Sequence, residues 1–224
     1  MIKNVSRRGF IYSLGGTLTL PFLFGKKAEG REVPAPSLLT SGGRSYVPVI
    51  TPGIPTLKYK MVSGVKVFEL TAEPVTVQFP DMMGMQHKPI YTWGYNGSMP
   101  GPTIEVVEGD TVRILFKNNL PDPTTVHWHG LHIPINMDGV PDISQKPVPP
   151  GGSFVYEFTL EQSGTYFYHS HVMQAKQIGL GLMGFFIVHP KNPTVDQRVD
   201  RDYAYFLHMW KIDPDTKLAK KISI

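Results

Sequence analysis

The chain has 224 residues, enough for one domain with additional segments, and its apolar fraction of 41% is typical of a globular protein with a core. Its 22 glycines and 21 prolines favour turns and short strands over helices. Five basic residues precede the first acidic one, Glu29, and the remainder is close to neutral, so nucleic acid is not an expected partner. Because the sequence contains no cysteine, it excludes disulfides, thiolate ligands and cysteine nucleophiles within this chain.

The N-terminal residues 1–27 have the pattern of a signal peptide. Ser6–Phe10 places an arginine pair before a phenylalanine, and an apolar run from Ile11 to Phe24 follows. This run is shorter than the roughly 20 apolar residues that a membrane span needs, so no stable span is expected after cleavage. The arginine pair resembles a bacterial twin-arginine signal, which implies export of the folded protein to a periplasmic or extracellular location. Ala28 and Ala35 both fit a cleavage position, and the sequence does not choose between them. A retained N-terminal anchor is the alternative to cleavage.

Period-two alternation of apolar residues begins at about residue 62 and predicts β-strands separated by turn residues. The spacing of seven or eight short strands over about 130 residues predicts an all-β sandwich. A short helix or turn is expected within residues 173–181. The predicted strands are Val65–Glu69, Val75–Phe79, Ile104–Val106, Val112–Phe116, Thr125–Leu131, Phe154–Phe158, Thr165–His171 and Leu182–Val188.

The segments on either side of this sandwich have a different character. Residues 28–58 are rich in proline, glycine and serine, which predicts a linker without packed structure of its own. Within residues 193–224, a polar stretch is followed by alternating apolar residues from Tyr203 to Met209, which predicts the first strand of an incomplete second domain. A lone strand cannot bury its faces, so this tail is expected to need partners outside the chain.

Two His-X-His pairs, His127 with His129 and His169 with His171, are the main chemical signal of the sequence. Residues i and i+2 of a strand point to the same face, so each pair projects two imidazoles to one side. Four neutral imidazoles suit copper or zinc, and the scarcity of carboxylates nearby argues against magnesium and calcium. The residue types alone leave copper and zinc open. Trp128, between the first pair, is expected to point the opposite way into the core.

The motifs around these pairs resemble the first domain of the multicopper oxidases. The matching segments are Tyr95–Ile104, His127–Leu131, Met137–Val140 and Gly164–His171. The resemblance covers about residues 62–192 and implies that residues 59–192 form a cupredoxin-like Greek-key β-sandwich. It also implies a trinuclear copper cluster that reduces dioxygen to water while a phenol, metal ion or similar substrate is oxidised.

The resemblance further implies a role for each matching residue. His127 would bind the type 2 copper ion, and His129, His169 and His171 would bind the type 3 pair. Asp138, in the loop after the first pair, would help to deliver protons during dioxygen reduction. The alternative for Asp138 is a turn aspartate before Gly139. His132 is expected to be a loop residue or a neighbour of the ligands, and His189 a structural one.

The sequence departs from the family pattern in ways that leave its activity open. A complete member has eight cluster histidines and a cysteine that binds a type 1 copper, whereas this sequence has two His-X-His pairs and no cysteine. The other half of the cluster is therefore expected from missing cupredoxin domains, in cis or in trans. Either the chain is a truncated or partial product, or it is a short cupredoxin that works with another chain.

Two further functions compete with an oxidase fragment. A non-catalytic, exported copper carrier is one, because Met82, Met83, Met85 and His87 offer soft ligands that could hold Cu(I). A cupredoxin kept as a purely structural unit is the other. The sequence does not indicate the reducing substrate.

Overall fold

The computed structural model describes residues 39–41, 44–78, 89–209, 211–212 and 219–220. The predicted signal peptide and the methionine-rich loop with Met82, Met83, Met85 and His87 lie outside these residues. The described strands are β1 Leu39–Ser41, β2 Arg44–Tyr46, β3 Val49–Ile50, β4 Tyr59–Val62, β5 Val65–Val77, β6 Ile90–Tyr95, β7 Gly101–Val107, β8 Thr111–Asn118, β9 His127–His129, β10 Ser153–Thr159, β11 Gly164–His169, β12 Met183–His189, β13 Asp202–Tyr203, β14 Lys211–Ile212 and β15 Ala219–Lys220.

Helical structure is sparse in the described part of the chain. One α-helix, α1, covers Gln174–Gln177, within the region where a short helix or turn was predicted. Short 3-10 turns cover Ile135–Met137 and Val195–Gln197. No helix among the described residues is long and apolar enough to cross a bilayer.

Two sheets form the sandwich that the strand spacing predicts. One sheet has the order β10-β8-β5-β4, with β6 also pairing β5, and the other has the order β7-β12-β11-β9. Each sheet mixes antiparallel ladders with a parallel one, which joins β5 to β8 in the first sheet and β12 to β7 in the second. Strand β9, which carries the first histidine pair, is an edge strand of the second sheet.

Aromatic side chains fill the space between the sheets. Trp128, Tyr156, Tyr168 and Phe186 are fully buried, and the indole ring of Trp128 meets the rings of Tyr156 and Phe186 edge-on at centroid distances of 5.2 and 5.7 Å. This confirms that Trp128 points into the core, on the face of β9 opposite to the flanking histidines. Packing of Trp128 in the core therefore holds β9 in place from the face opposite to the histidines.

The structure joins two predicted strands into one. Val65–Glu69 and Val75–Val77 both belong to β5, whose first part pairs with β8 up to Ala72 and whose second part pairs with β6 from Ala72 onward. The strand thus exchanges partners without a turn. The sequence interpretation began a second strand at Val75, directly after Pro74, a residue that is uncommon inside strands.

The linker prediction is wrong for residues 49–51, which pack against the sandwich. Val49 is buried, and its main-chain N–H donates to the Glu105 carboxylate at 2.9 Å. The Thr51 and Thr103 hydroxyls are hydrogen-bonded at 2.8 Å. These two partners on β7 fix the segment, and their effect cannot be read from a local composition that is rich in turn residues.

The predicted tail strand is formed only at its start. β13 covers Asp202–Tyr203 and pairs in parallel with β3, and the Ala204 N–H continues this pairing by donating to the Ile50 carbonyl at 3.1 Å. Phe206 stacks on Phe185 of β12 at 3.8 Å, whereas Tyr205, Leu207 and Met209 are exposed. The alternation that the sequence shows is therefore present as an alternation of exposure.

Candidate metal centre

The pairing of β9 with β11 brings the two histidine pairs to one face of the sheet. In this antiparallel ladder His127 lies directly opposite His169, and His129 lies opposite Phe167. His171 follows two residues after the end of β11. Because side chains alternate along a strand, the histidines share the face that Trp128 does not use.

The four imidazoles that the sequence singled out lie together. Ligand nitrogens of His127, His129 and His169 are all within 4.8 Å of one another. The ring of His171 is centred 5.1 Å from that of His127 and 6.1 Å from that of His169. This is a compact nitrogen-donor group of the kind that copper and zinc prefer.

Main-chain carbonyls hold two of the four rings at Nδ1. His127 Nδ1 is 2.7 Å from the carbonyl oxygen of Asp138, and His169 Nδ1 is 2.8 Å from that of Ser170. A neutral imidazole that donates a hydrogen bond through Nδ1 keeps its lone pair on Nε2. Both rings are therefore set to coordinate a metal ion through Nε2.

His129 presents the other nitrogen to the cluster. Its Nδ1 lies 3.2 Å from Nε2 of His169, and both rings stack on Phe167, with centroid distances of 4.5 and 5.0 Å. An ion about 2.0–2.1 Å from both nitrogens would make an N–metal–N angle of roughly 100°. The spacing thus fits two ligands of one metal ion.

Burial keeps two of the rings neutral. Desolvation lowers the pKa of His169 to about 4, because this ring is almost inaccessible to water. The pKa of His171 is also lowered, first by burial and then by the nearby His127. His129 is exposed, so the cluster is open to solvent on one side. Neutral rings are ready to bind metal, and the open side leaves room for further ligands.

Asp138 lies beside the histidine cluster. Its carboxylate Oδ1 is 3.2 Å from His127 Nδ1, and its side chain lines an open groove together with His132, Glu157 and Glu161. The residue also ends the 3-10 turn Ile135–Met137. Its position is compatible with both sequence interpretations, a proton-carrying group and a turn residue.

The remaining histidines lie apart from the cluster. The ring of His132 is exposed, and His189 is hydrogen-bonded to the Glu105 carboxylate at 2.9 Å and stacked on Tyr46 at 3.9 Å. Sequence reasoning missed the two carbonyls that hold the ligand rings, because main-chain groups have no residue-type signature. It also missed Phe167, whose alternation along β11 marked it only as a strand residue.

Comparison with known proteins finds one family. Residues 77–193 match the model of the multicopper oxidase family. The chain is 38% identical over 127 residues to copper resistance protein A of Pseudomonas syringae pv. tomato, covering 57% of this chain and 20% of that protein. It is 46% identical over 123 residues to an iron transport multicopper oxidase of Gibberella zeae, covering 54% and 20% of the two chains. The chain thus spans about one fifth of the length of these curated relatives.

The solved structures that resemble this chain include multicopper oxidases as well. A multicopper oxidase from Pseudomonas thermotolerans superposes with a TM-score of 0.53 at 41% identity, covering 58% of this chain and 31% of that one. A multicopper oxidase from Campylobacter jejuni, described as a metallo-oxidase, superposes with a TM-score of 0.55 at 34% identity, covering 62% and 29%. Together with the two-sheet architecture, these similarities confirm the cupredoxin-like β-sandwich that the sequence predicts.

Proposed function

Because the chain belongs to the multicopper oxidase family, we propose that residues 59–192 form a copper-binding domain that supplies half the ligands of a trinuclear copper cluster. The observation that supports this is the convergence of four imidazoles, two of them held at Nδ1 by carbonyls, on a face that is open on one side. In the complete assembly the open side would receive the remaining ligands from further cupredoxin domains, in cis or in trans.

Each histidine has a place in this proposal. His129 and His169 would share one type 3 ion, since their facing nitrogens are 3.2 Å apart. His171 would bind the other type 3 ion, and His127 would bind the type 2 ion through Nε2. When bound, copper supplies the redox chemistry, in which dioxygen takes up four electrons and four protons to give two waters while a phenol, metal ion or similar substrate is oxidised.

The chain's own residues would hold the ligands and handle protons. The carbonyls of Asp138 and Ser170 orient two rings, and Phe167 supports two by stacking. The Asp138 carboxylate lies between His127 and a groove that is open to solvent, so it is placed to carry a proton from water to the cluster. We also propose that residues 1–27 are a leader that directs export and that residues 193–224 are the start of a second cupredoxin domain.

Domain replacement tests this function. The first domain of the related copper resistance protein A is exchanged for residues 59–192 of this chain, and dioxygen consumption is measured with a phenol or Cu(I) as reductant. The chimera is expected to consume one dioxygen for every four electrons. His169→Gln should abolish this consumption, and His132→Gln, the matched change at an exposed histidine, should leave it intact.

A folded chimera that binds copper without consuming dioxygen would contradict the proposed role in an oxidase and would favour the non-catalytic copper carrier. The 224-residue chain tested alone is expected to show little or no turnover, since it offers two of the His-X-His pairs and no cysteine to receive electrons. A folded chimera that takes up no copper would support a purely structural domain.

A further inference from the structure

We infer that Gly139 is a positioning residue for His127. Because it has no side chain, it lets the main-chain carbonyl of Asp138 reach the Nδ1 atom of that imidazole. The inference rests on the proposed function, since it concerns how one of the proposed copper ligands is held. It adds to the site a residue that has no side chain.

The space around Gly139 admits no side chain. The residue is buried and has a φ of +73°, in the left-handed region that favours glycine. A β-carbon built at this position would overlap the carbonyl oxygen of Val126, the residue just before His127. The loop therefore packs directly on the backbone at the start of β9. Any side chain here would push the loop away from β9, and the Asp138 carbonyl would move with it.

The loop has little freedom to absorb such a shift elsewhere. The Asp138 N–H donates to the Ile135 carbonyl at 3.2 Å, and the Val140 N–H donates to the Ser144 hydroxyl at 3.2 Å. These bonds fix the chain on both sides of Gly139. A displacement at Gly139 is therefore expected to appear at the contact between Asp138 and His127.

The two oxygens of Asp138 that face His127 have different roles. The main-chain oxygen is 2.7 Å from Nδ1, whereas the carboxylate Oδ1 is 3.2 Å away and belongs to a partly exposed side chain. The carbonyl cannot rotate away without moving the loop, so it sets the tautomer of the ring and turns the Nε2 lone pair toward the cluster. The carboxylate also lines the open groove.

Gly139→Ala tests the inference, with Gly151→Ala as its matched control. Gly151 has a nearly identical φ of +76°, but no atom lies within 4 Å of the position of its β-carbon. In the full, metal-free chain, NMR follows the proton on Nδ1 of His127, and a Cu(II) titration measures affinity. Gly139→Ala is expected to lose the Nδ1–H resonance and to weaken copper binding about 10- to 100-fold. Gly151→Ala should change neither.

Equal losses in the two glycine variants, or an unchanged resonance and affinity in Gly139→Ala, would overturn the inference. Asp138→Ala separates the carbonyl from the carboxylate and also decides the matter if Gly139→Ala does not fold. The Nδ1–H resonance should persist in Asp138→Ala, and its disappearance would overturn the inference. If the wild-type chain binds no copper without the domains that supply the other ligands, the affinity comparison is made in the chimera, whose dioxygen consumption tests the proposed function separately, while the metal-free NMR measurement tests Gly139.

Discussion

Four imidazoles can bind metal together only if their coordinating nitrogens point toward a common space. In a neutral ring, the nitrogen that donates a hydrogen bond carries the proton, so the other nitrogen keeps the lone pair that binds metal. In the metal-free chain His169 donates through Nδ1 to the Ser170 carbonyl, so its Nε2 is an acceptor. The Nδ1 of His129 faces that nitrogen at 3.2 Å, so for the two rings to share one metal ion the proton of neutral His129 has to be on its Nε2.

Removal of a ligand ring should affect copper binding more than removal of an exposed one. His129→Gln is expected to weaken Cu(II) binding by more than about 100-fold, the upper range for loss of a residue that merely supports a ligand. His132→Gln, three residues further along and outside the cluster, should bind as the wild type does. Isothermal titration of the full chain measures both. Equal affinities for the two variants would contradict the assignment of His129.

Burial of His169 should make the metal-free fold sensitive to acid. Its pKa of about 4 lies below the ordinary 6.5, so between these values the unfolded chain binds a proton that the folded chain does not. The free energy of unfolding should therefore fall as pH falls from 6.5 to 4, by up to about 3 kcal/mol from this group. Urea denaturation at pH 7 and 4.5 should show a larger loss for wild type than for His169→Gln. The same loss in both would contradict this account.

At the scale of strands, a tyrosine ties three strands of the histidine-bearing sheet together. Tyr168 on β11 lies opposite Gly184 on β12, and its hydroxyl donates to the Pro102 carbonyl on β7 at 2.7 Å. A β-carbon at Gly184 would overlap the tyrosine ring. Because Gly184 has no side chain, the Tyr168 ring can extend across β12, and β11, the strand that ends in His169, is hydrogen-bonded to β7 on the far side of β12.

Tyr168→Phe should destabilise the fold by about 1–3 kcal/mol, because it leaves the buried Pro102 carbonyl without a partner. Tyr91→Phe is the matched change at an exposed tyrosine of β6 and should stay within about 0.5 kcal/mol of wild type. Chemical denaturation of both variants measures the difference. If the two variants unfolded alike, the hydrogen bond across β12 would have no part in stability.

Strand faces could be predicted from the sequence, and strand partners could not. Alternation correctly placed Trp128 in the core and the flanking histidines on the opposite face, since that depends only on local geometry. The exchange of partners along β5 at Ala72 depends on β6 and β8, which are distant in sequence. The Asp138 carbonyl on His127 likewise depends on a loop closure that no residue type announces.

At the scale of the whole molecule, the chain matches about one fifth of the length of its curated relatives and presents a histidine cluster that is open on one side. Within residues 202–209, the side chains of Tyr203, Tyr205, Leu207 and Met209 are exposed. Packing against a further domain would bury such apolar side chains. The open cluster and these exposed side chains both support the proposal that further cupredoxin domains complete the assembly.

The most direct test of the central claim is a crystal of the copper-loaded full chain measured at the copper absorption edge. The anomalous map should show copper about 2 Å from Nδ1 of His129 and Nε2 of His169, the Zn–N value serving as a guide to the distance. His127→Gln and His132→Gln crystals serve as matched comparisons, and only the first should alter the density at the cluster. Copper found only at other positions, such as residues Met82–His87, would contradict the claim that the four histidines form a copper site.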